Sequence, residues 1–141
     1  LKINLKIICA RNVFENRLPK SKYVEFLGRL TDQEMIKVYK DSQIFVFPSL
    51  IEGFGLPGLE AMAVGLSVIA ARASCLPEIY EDAALYFDPY DVDDLISKIK
   101  SVLSDVNLQK SLTQRGKQQV KKYSWVKMAQ QTWEIYQNVL R

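Results

Sequence analysis

The stretch "IFVFPSLIEGFGLPGLEAMAVG", from Ile44 to Gly65, joins an apolar run to a glycine-rich turn and a second apolar segment. Every position from Ile44 to Phe47 is apolar, as in a parallel strand that is covered on both faces. Pro57 is tolerated in the first turn of a helix, where its missing N–H is not needed, and Gly65 is typical of a helix end. The stretch therefore predicts a strand, a tight turn and a helix.

The rest of the chain repeats this alternation of short apolar runs and amphipathic segments. Strands are predicted near residues 5–9, 24–27, 44–47, 67–70 and 84–87. Further helices are predicted behind the capping-box pattern Thr31–Glu34, from Asp91 to Leu103, over 107–122 at the surface, and from Trp125 to about Leu140 with Ser124 as N-cap. The alternation predicts an α/β, Rossmann-like fold in which a parallel sheet carries helices on both faces.

Composition excludes several classes of function. The chain has 141 residues, a length typical of one domain, and a net charge of only +3 without an aromatic and basic stripe, which argues against nucleic acid as a partner. Histidine is absent, so the commonest zinc ligand is missing. Cys9 and Cys75 match no metal or redox spacing and are expected to be buried in a reducing compartment. No apolar run is long enough to span a membrane.

Because the chain begins at Leu1 and soon enters a strand, we expect it to be a piece of a longer protein.

The glycine-rich turn is a candidate phosphate site. Ligands of parallel α/β sheets bind beyond the carboxyl ends of the strands, where this turn is predicted to lie. Gly53, Gly55 and Gly58 allow a ligand to approach the backbone closely, and the free N–H groups at the start of the next helix, about residues 56–59, attract anions. The alternative is that these glycines serve only the packing of a tight turn.

The same glycines also match the dinucleotide pattern G-x-G-x-x-G. That pattern requires an acidic residue about twenty positions later, where this chain has Arg72 and Ala73. In addition, Glu52 directly before the first glycine would repel a pyrophosphate unless it has another role. A nicotinamide cofactor is therefore not expected.

Two carboxylates beside a phosphate site suit a nucleotide-sugar, because each can accept two hydrogen bonds from a vicinal diol and such a ligand has diols at both ends. Glu52 and Glu60 are predicted to hold these two ends.

Several motifs lie along the chain: Pro48-Ser49 followed by Glu52 and Glu60, and the stretches "LEAMAVGLSVIAA", "LPEIYEDAALYFDPYD" and "YSWVKMAQQTWEIY". With these motifs the chain resembles the C-terminal half of the group 1 (GT4-type) retaining glycosyltransferases, which have the GT-B fold. The resemblance implies that Glu52 is catalytic and contacts the hydroxyls of the donor sugar, and that Glu60 holds the ribose. It further implies that the backbone at Gly53, Phe54, Gly55 and Leu56 meets the sugar and diphosphate, and that Leu30 lies beside the base.

The resemblance implies transfer of a hexose, with mannose as the first candidate, from a nucleotide-diphosphate sugar to a glycan or lipid-linked acceptor. Transfer would retain the anomeric configuration and need no metal or cofactor. In the family, a preceding strand supplies an arginine and a lysine for the diphosphate, and another domain binds the acceptor. Neither precedes Leu1, so the sheet is expected to lack a strand and this chain alone to be inactive. The full-length enzyme is expected in the cytoplasm or at the inner face of the membrane. A non-catalytic nucleotide-binding or interaction module of the same fold remains the alternative.

Other residues have simpler interpretations. Glu78 could cap a helix or reach the ligand, and capping is preferred. Asp88 and Asp91 are expected in a turn and at an N-cap. Trp125 and Trp133 are expected in the core or on a docking face. Arg72 could touch a ligand phosphate, but a solvated surface position is preferred.

Overall fold

The computed structural model describes residues 3–9 and 21–140. All five predicted strands form: β1 (Leu5–Ile7), β2 (Val24–Phe26), β3 (Ile44–Phe47), β4 (Ser67–Ala71) and β5 (Ala84–Phe87). The helices are α1 (Asp32–Lys40), α2 (Leu56–Ala63), α3 (Leu76–Tyr80), α4 (Val92–Ser104), α5 (Val106–Val120) and α6 (Trp125–Val139), with a 3-10 turn at Glu81–Ala83. The strand β1 begins where it was predicted and ends at Ile7, two residues before the predicted end. Ala10, the last residue of that apolar run, lies outside the described residues.

The chain divides into two compact units, Leu1–Val38 and Tyr39–Arg141. In the first unit β1 pairs parallel with β2, with Leu5 opposite Val24. In the second unit β4 lies between β3 and β5, and both pairings are parallel. The fold class is therefore the predicted α/β arrangement of parallel strands and helices.

The helix starts show why the chain folds locally as predicted. At the start of α1 the Thr31 N–H donates to the Glu34 carboxylate at 2.8 Å, and the Glu34 N–H donates back to the Thr31 hydroxyl at 3.4 Å, which confirms the capping box. Asp91 accepts from the amides of Asp93 and Asp94 at the start of α4. Ser124 accepts from the Lys127 amide at the start of α6. Each cap satisfies amides that a helix leaves without an internal partner.

The core of the second unit is built around β4, which is buried along its whole length. Ile69 and Ala71 share one face of the strand and cluster with Val102 of α4 and Leu112 of α5. Val68 on the opposite face is fully buried as well. A strand covered on both sides explains why "SVIAA" lacks the alternation of polar and apolar residues that a half-exposed strand shows.

One expectation about the helices is wrong, and another keeps only one of its two alternatives. The α5 helix was predicted to lie at the surface, but it buries Leu112, Gly116 and Gln119, because Gly116 lets it approach Met62 of α2 closely. Of the two alternatives for Trp125 and Trp133 of α6, the core is excluded, since 72% and 62% of their surfaces are exposed. A docking face stays a prediction. Within residues 3–9 and 21–140, every helix is too short or too polar to cross a membrane.

Candidate active site

The two glutamates lie in the second unit, on either side of the turn that joins β3 to α2. Glu52 is half-buried in the loop, and Glu60 is exposed on the second turn of α2. Between them Gly55 caps α2 in the left-handed conformation, with φ of 88°. This backbone conformation is costly for a residue with a side chain. The sequence therefore places a glycine where the chain reverses between the loop and the helix.

The backbone of Glu52 is held by the loop that follows β4. The Ser74 hydroxyl donates to the Glu52 carbonyl oxygen at 2.9 Å and accepts from the Glu52 N–H at 3.3 Å. The Cys75 thiol also donates to that carbonyl, at 3.3 Å. Both the N–H and the carbonyl of Glu52 are therefore held by hydrogen bonds, which fixes its backbone. The carboxylate can then move mainly by changing its side-chain rotamer.

Tyr80 lies directly beneath the glycine-rich turn. Its ring is fully buried, and its hydroxyl donates to the Gly55 carbonyl at 2.6 Å. Burial raises the pKa of this phenol well above its ordinary value, so the hydroxyl remains a donor. A Cβ atom added at Gly55 or Gly58 would collide with Tyr80. These two glycines therefore have a packing role, whereas no atom of the described residues lies within 4 Å of a Cβ built at Gly53.

The turn presents a row of backbone N–H groups. Within residues 3–9 and 21–140, no acceptor is found for the backbone N–H groups of the four residues from Gly53 to Leu56. Of the amides predicted to be free, at about residues 56–59, Gly58 is not free, since its N–H bonds to the Gly55 carbonyl at 3.2 Å, and Pro57 has no N–H. The candidate anion site therefore consists of the amides from Gly53 to Leu56, and their contact with a sugar and a diphosphate stays a prediction.

Glu60 has a buried partner that the sequence did not indicate. The hydroxyl of Tyr39, a side chain that is only 4% exposed, lies 3.4 Å from a carboxylate oxygen of Glu60 and 3.4 Å from the Pro57 carbonyl. Burial, and then the charge of Glu60, raise the pKa of Tyr39 to about 12. The phenol therefore stays protonated and can orient one oxygen of the Glu60 carboxylate, and no hydrogen bond to the other oxygen is found in the described part of the chain.

The part of the chain that the structure describes contains no group of three or more histidine, cysteine or acidic side chains that could hold a metal ion. The chemistry available at the turn therefore consists of backbone amides, two carboxylates and tyrosine hydroxyls. Amides and a helix start suit an anion, and carboxylates suit hydroxyl groups.

Comparison with known proteins identifies the family. The family model described as "Glycosyl transferases group 1" matches residues 15–119, which include the whole turn and both glutamates. The chain belongs to the group 1 glycosyltransferases. The GT-B fold of this family accounts for the parallel strands and the helices around them.

Relatives within the family include bacterial mannosyltransferases. The chain is 39% identical over 114 residues to the O-antigen chain mannosyltransferase B of Escherichia coli, a match that covers 81% of this chain and 30% of that protein. It is 38% identical over 118 residues to the serotype-specific mannosyltransferase WbdA of Escherichia coli, covering 82% of this chain and 14% of that protein. The chain thus spans less than a third of the length of these relatives.

Solved structures agree with the fold. The sucrose-phosphate synthase of Thermosynechococcus elongatus superposes with a TM-score of 0.77 at 29% identity, over 91% of this chain and 32% of that one. The C-terminal domain of a group 1 family protein, LpcC from Francisella tularensis, gives a TM-score of 0.62 at 34% identity, over 72% of this chain and 54% of that one.

The remaining predicted site residues of this glycosyltransferase domain are placed as follows. Phe54 and Leu56 are exposed in part, at 38% and 43%. The Phe54 ring packs edge-on against Tyr123, with ring centroids 5.2 Å apart, so Phe54 anchors the turn. Leu30 is half-buried in the first unit, and its place beside a base stays a prediction.

Sequence reasoning missed the three residues that hold the turn in place: Ser74, Tyr80 and Tyr39. All are distant in sequence from their partners, so no local pattern indicates the contacts. The short helix α3, which carries Tyr80, was also not predicted as such. Its first-turn residue Glu78 was expected as a cap, but the N-cap position is Cys75 and no side chain caps the helix.

Proposed function

We propose that this chain binds the nucleotide-diphosphate sugar donor of a retaining, metal-independent glycosyltransferase. One observation carries the proposal: the four backbone N–H groups from Gly53 to Leu56 have no acceptor among the described residues and lie between Glu52 and Glu60. A diphosphate fits successive amides at a helix start, because both supply partial positive charge. The carboxylates on either side fit the hydroxyl groups at the two ends of such a donor.

In this proposal Glu60 binds the ribose diol and Glu52 faces the sugar. Tyr39 donates to one oxygen of Glu60, so the other oxygen is available for the ribose. The sugar ring becomes positively charged as the nucleoside diphosphate leaves. The Glu52 carboxylate stabilises that positive charge, and the amides from Gly53 to Leu56 stabilise the departing diphosphate.

We further propose that the sugar is mannose and that the acceptor is a glycan or a lipid-linked glycan. The names of the two relatives, both mannosyltransferases, support mannose as the sugar. The O-antigen chain in the name of the first supports a glycan as the acceptor. Transfer requires the acceptor to be held against the donor in a site from which water is excluded, and such positioning can be worth about 7–11 kcal/mol. Because the chain spans 30% of the first of these relatives, we expect it to bind a donor without transferring sugar by itself. A cytoplasmic location for the full-length enzyme stays a prediction.

The test is a titration of the ¹⁵N-labelled chain with nucleoside diphosphates and their mannose derivatives. We expect the amide signals of Gly53, Phe54, Gly55 and Leu56 to shift and to saturate together, without added metal. The full-length enzyme should transfer mannose with retention. A chain that binds nucleotide at these amides while the full-length protein transfers nothing would support the non-catalytic module instead. Absence of shifts at these amides would contradict the proposed donor site.

A further inference from the structure

An open cavity of about 500 Å³ lies at the carboxyl ends of β4 and β5 in the second unit. This volume falls within the range of roughly 300–1,000 Å³ that small-molecule sites occupy. Its lining includes Leu50, two residues before Glu52, and Ala73, next to the Ser74 that holds the Glu52 backbone. The cavity therefore adjoins the donor turn without using Glu52 or Glu60.

The charges in this cavity are balanced. Lys98 pairs with Asp94 at 3.3 Å, and the second oxygen of Asp94 accepts from the Asp88 N–H at 2.8 Å. The Arg72 guanidinium lies 5.2 Å from the centre of the Tyr86 ring, and no ion pair found among the described residues includes it. Two cations therefore face two carboxylates, which favours a neutral ligand over a phosphate.

Several polar groups remain free for such a ligand. The Asp88 carboxylate uses one oxygen to accept from the Tyr90 N–H, at 2.9 Å, and no other hydrogen bond to it is found among the described residues. That bond also fixes the backbone from which Tyr90 projects, and the Tyr90 side chain is 84% exposed. The cavity thus combines the free donors of Arg72, a free carboxylate oxygen and an aromatic ring at its edge. Such groups match the hydroxyls and the apolar ring face of a sugar.

We propose that this cavity is a subsite for the acceptor saccharide, with Arg72, Asp88 and Tyr90 as its binding residues. The inference rests on the proposed function, in which the donor sugar lies at Glu52 and a second sugar must approach it. Leu50 and Ala73, which line the cavity, belong to the same loops as Glu52 and Ser74, so an acceptor bound here lies beside the loop that carries Glu52. This assigns part of the acceptor recognition to the domain that binds the donor.

The binding test uses the ¹⁵N-labelled chain and α-linked mannotriose, with inorganic phosphate as a second probe. We expect mannotriose to shift the amides of Arg72 and Tyr90, and phosphate to leave them unchanged. Tyr90→Ala should weaken the binding of mannotriose by about fivefold, the scale of one lost contact. Lys100→Ala removes an exposed charge from the same helix α4 outside the cavity and should change nothing. Shifts with phosphate alone, or equal binding by Tyr90→Ala, would overturn the proposal.

The kinetic test uses the full-length enzyme and separates the acceptor from the donor. Arg72→Ala and Tyr90→Ala should raise the KM for the acceptor by about fivefold and leave the KM for the donor unchanged. A rise in the donor KM alone would assign the cavity to the donor and contradict the proposal. Mannotriose shifts at Tyr90 without nucleotide shifts at Gly53–Leu56 would refute the donor site but not the saccharide subsite.

Discussion

The phenol of Tyr80 donates a hydrogen bond of 2.6 Å to the carbonyl oxygen of Gly55 and fills the space beneath the glycine-rich turn. A Cβ at Gly58 would collide with the same ring, although Gly58 lies within the helix α2. The glycines of this turn therefore divide by role. Gly55 and Gly58 allow the backbone to approach Tyr80, while a Cβ at Gly53 would meet none of the residues that the structure describes.

Gly58→Ala is predicted to destabilise the fold. Alanine normally favours a helix over glycine by about 1 kcal/mol, but here the added methyl group forces Tyr80 to move, and such overpacking costs typically about 1–3 kcal/mol. Chemical denaturation should show a lower free energy of unfolding. Gly53→Ala is the matched control and should change that free energy by less than about 0.5 kcal/mol. Equal stability of the two variants would contradict the packing role of Gly58.

Ser74→Ala is predicted to loosen the loop that carries Glu52. The substitution removes both hydrogen bonds to the Glu52 backbone and should lower the free energy of unfolding by about 1 kcal/mol. Ser74 also has a φ of 52°, which glycine adopts more easily. Ser74→Gly should therefore be the more stable of the two variants, although both lack the hydroxyl. If Ser74→Ala unfolds at the same denaturant concentration as the original chain, the hydroxyl does not stabilise the loop.

The two glutamates are predicted to act at different stages of the reaction in the full-length enzyme. Glu60→Ala should weaken nucleotide binding by about 1–3 kcal/mol, the scale of lost hydrogen bonds to a charged group. Glu52→Ala should mainly lower kcat, because the positive charge it faces develops in the transition state. Glu134→Ala removes an exposed carboxylate from α6 and serves as the control. Unchanged donor affinity and turnover in both test variants would refute the proposed roles.

The stability of the fold is predicted to fall as the pH rises from about 10 to about 12. Burial raises the pKa of Tyr39 from 10.0 to about 12, and that of Tyr86 likewise to about 12. In this window the unfolded chain has already lost these protons and the folded chain still holds them, so the unfolded state binds fewer protons and gains in relative stability. Below pH 10 the contribution is fully present.

Tyr39→Phe removes one of these protons and should reduce the alkaline loss of stability. The measurement is the free energy of unfolding at pH 9, 10, 11 and 12, chosen to span about the two pKa values. Tyr136→Phe, at an exposed position on α6, is the control and should keep the original slope. An identical slope for all three proteins would show that Tyr39 does not contribute.

The strands and most helices can be predicted from the local sequence, and so can the position of the two glutamates on either side of the turn. The run from Ile44 to Phe47 is apolar at every position, and Thr31, Asp91 and Ser124 cap helices with side chains that lie within three residues of their partners. These features depend on neighbours in the chain. Local chemistry therefore determined the order of the strands and of the longer helices, and the α/β class.

The supports of that site depend on contacts between distant parts of the chain. Tyr39 reaches Glu60 from the end of α1, Ser74 reaches Glu52 from the loop after β4, and Tyr80 reaches Gly55 from α3. The burial of α5 likewise depends on the meeting of Gly116 and Met62. The contacts of Ser74 and Tyr80 exist only once β3 and β4 have paired in register, because their parallel order brings the segments that follow them to the same edge of the sheet.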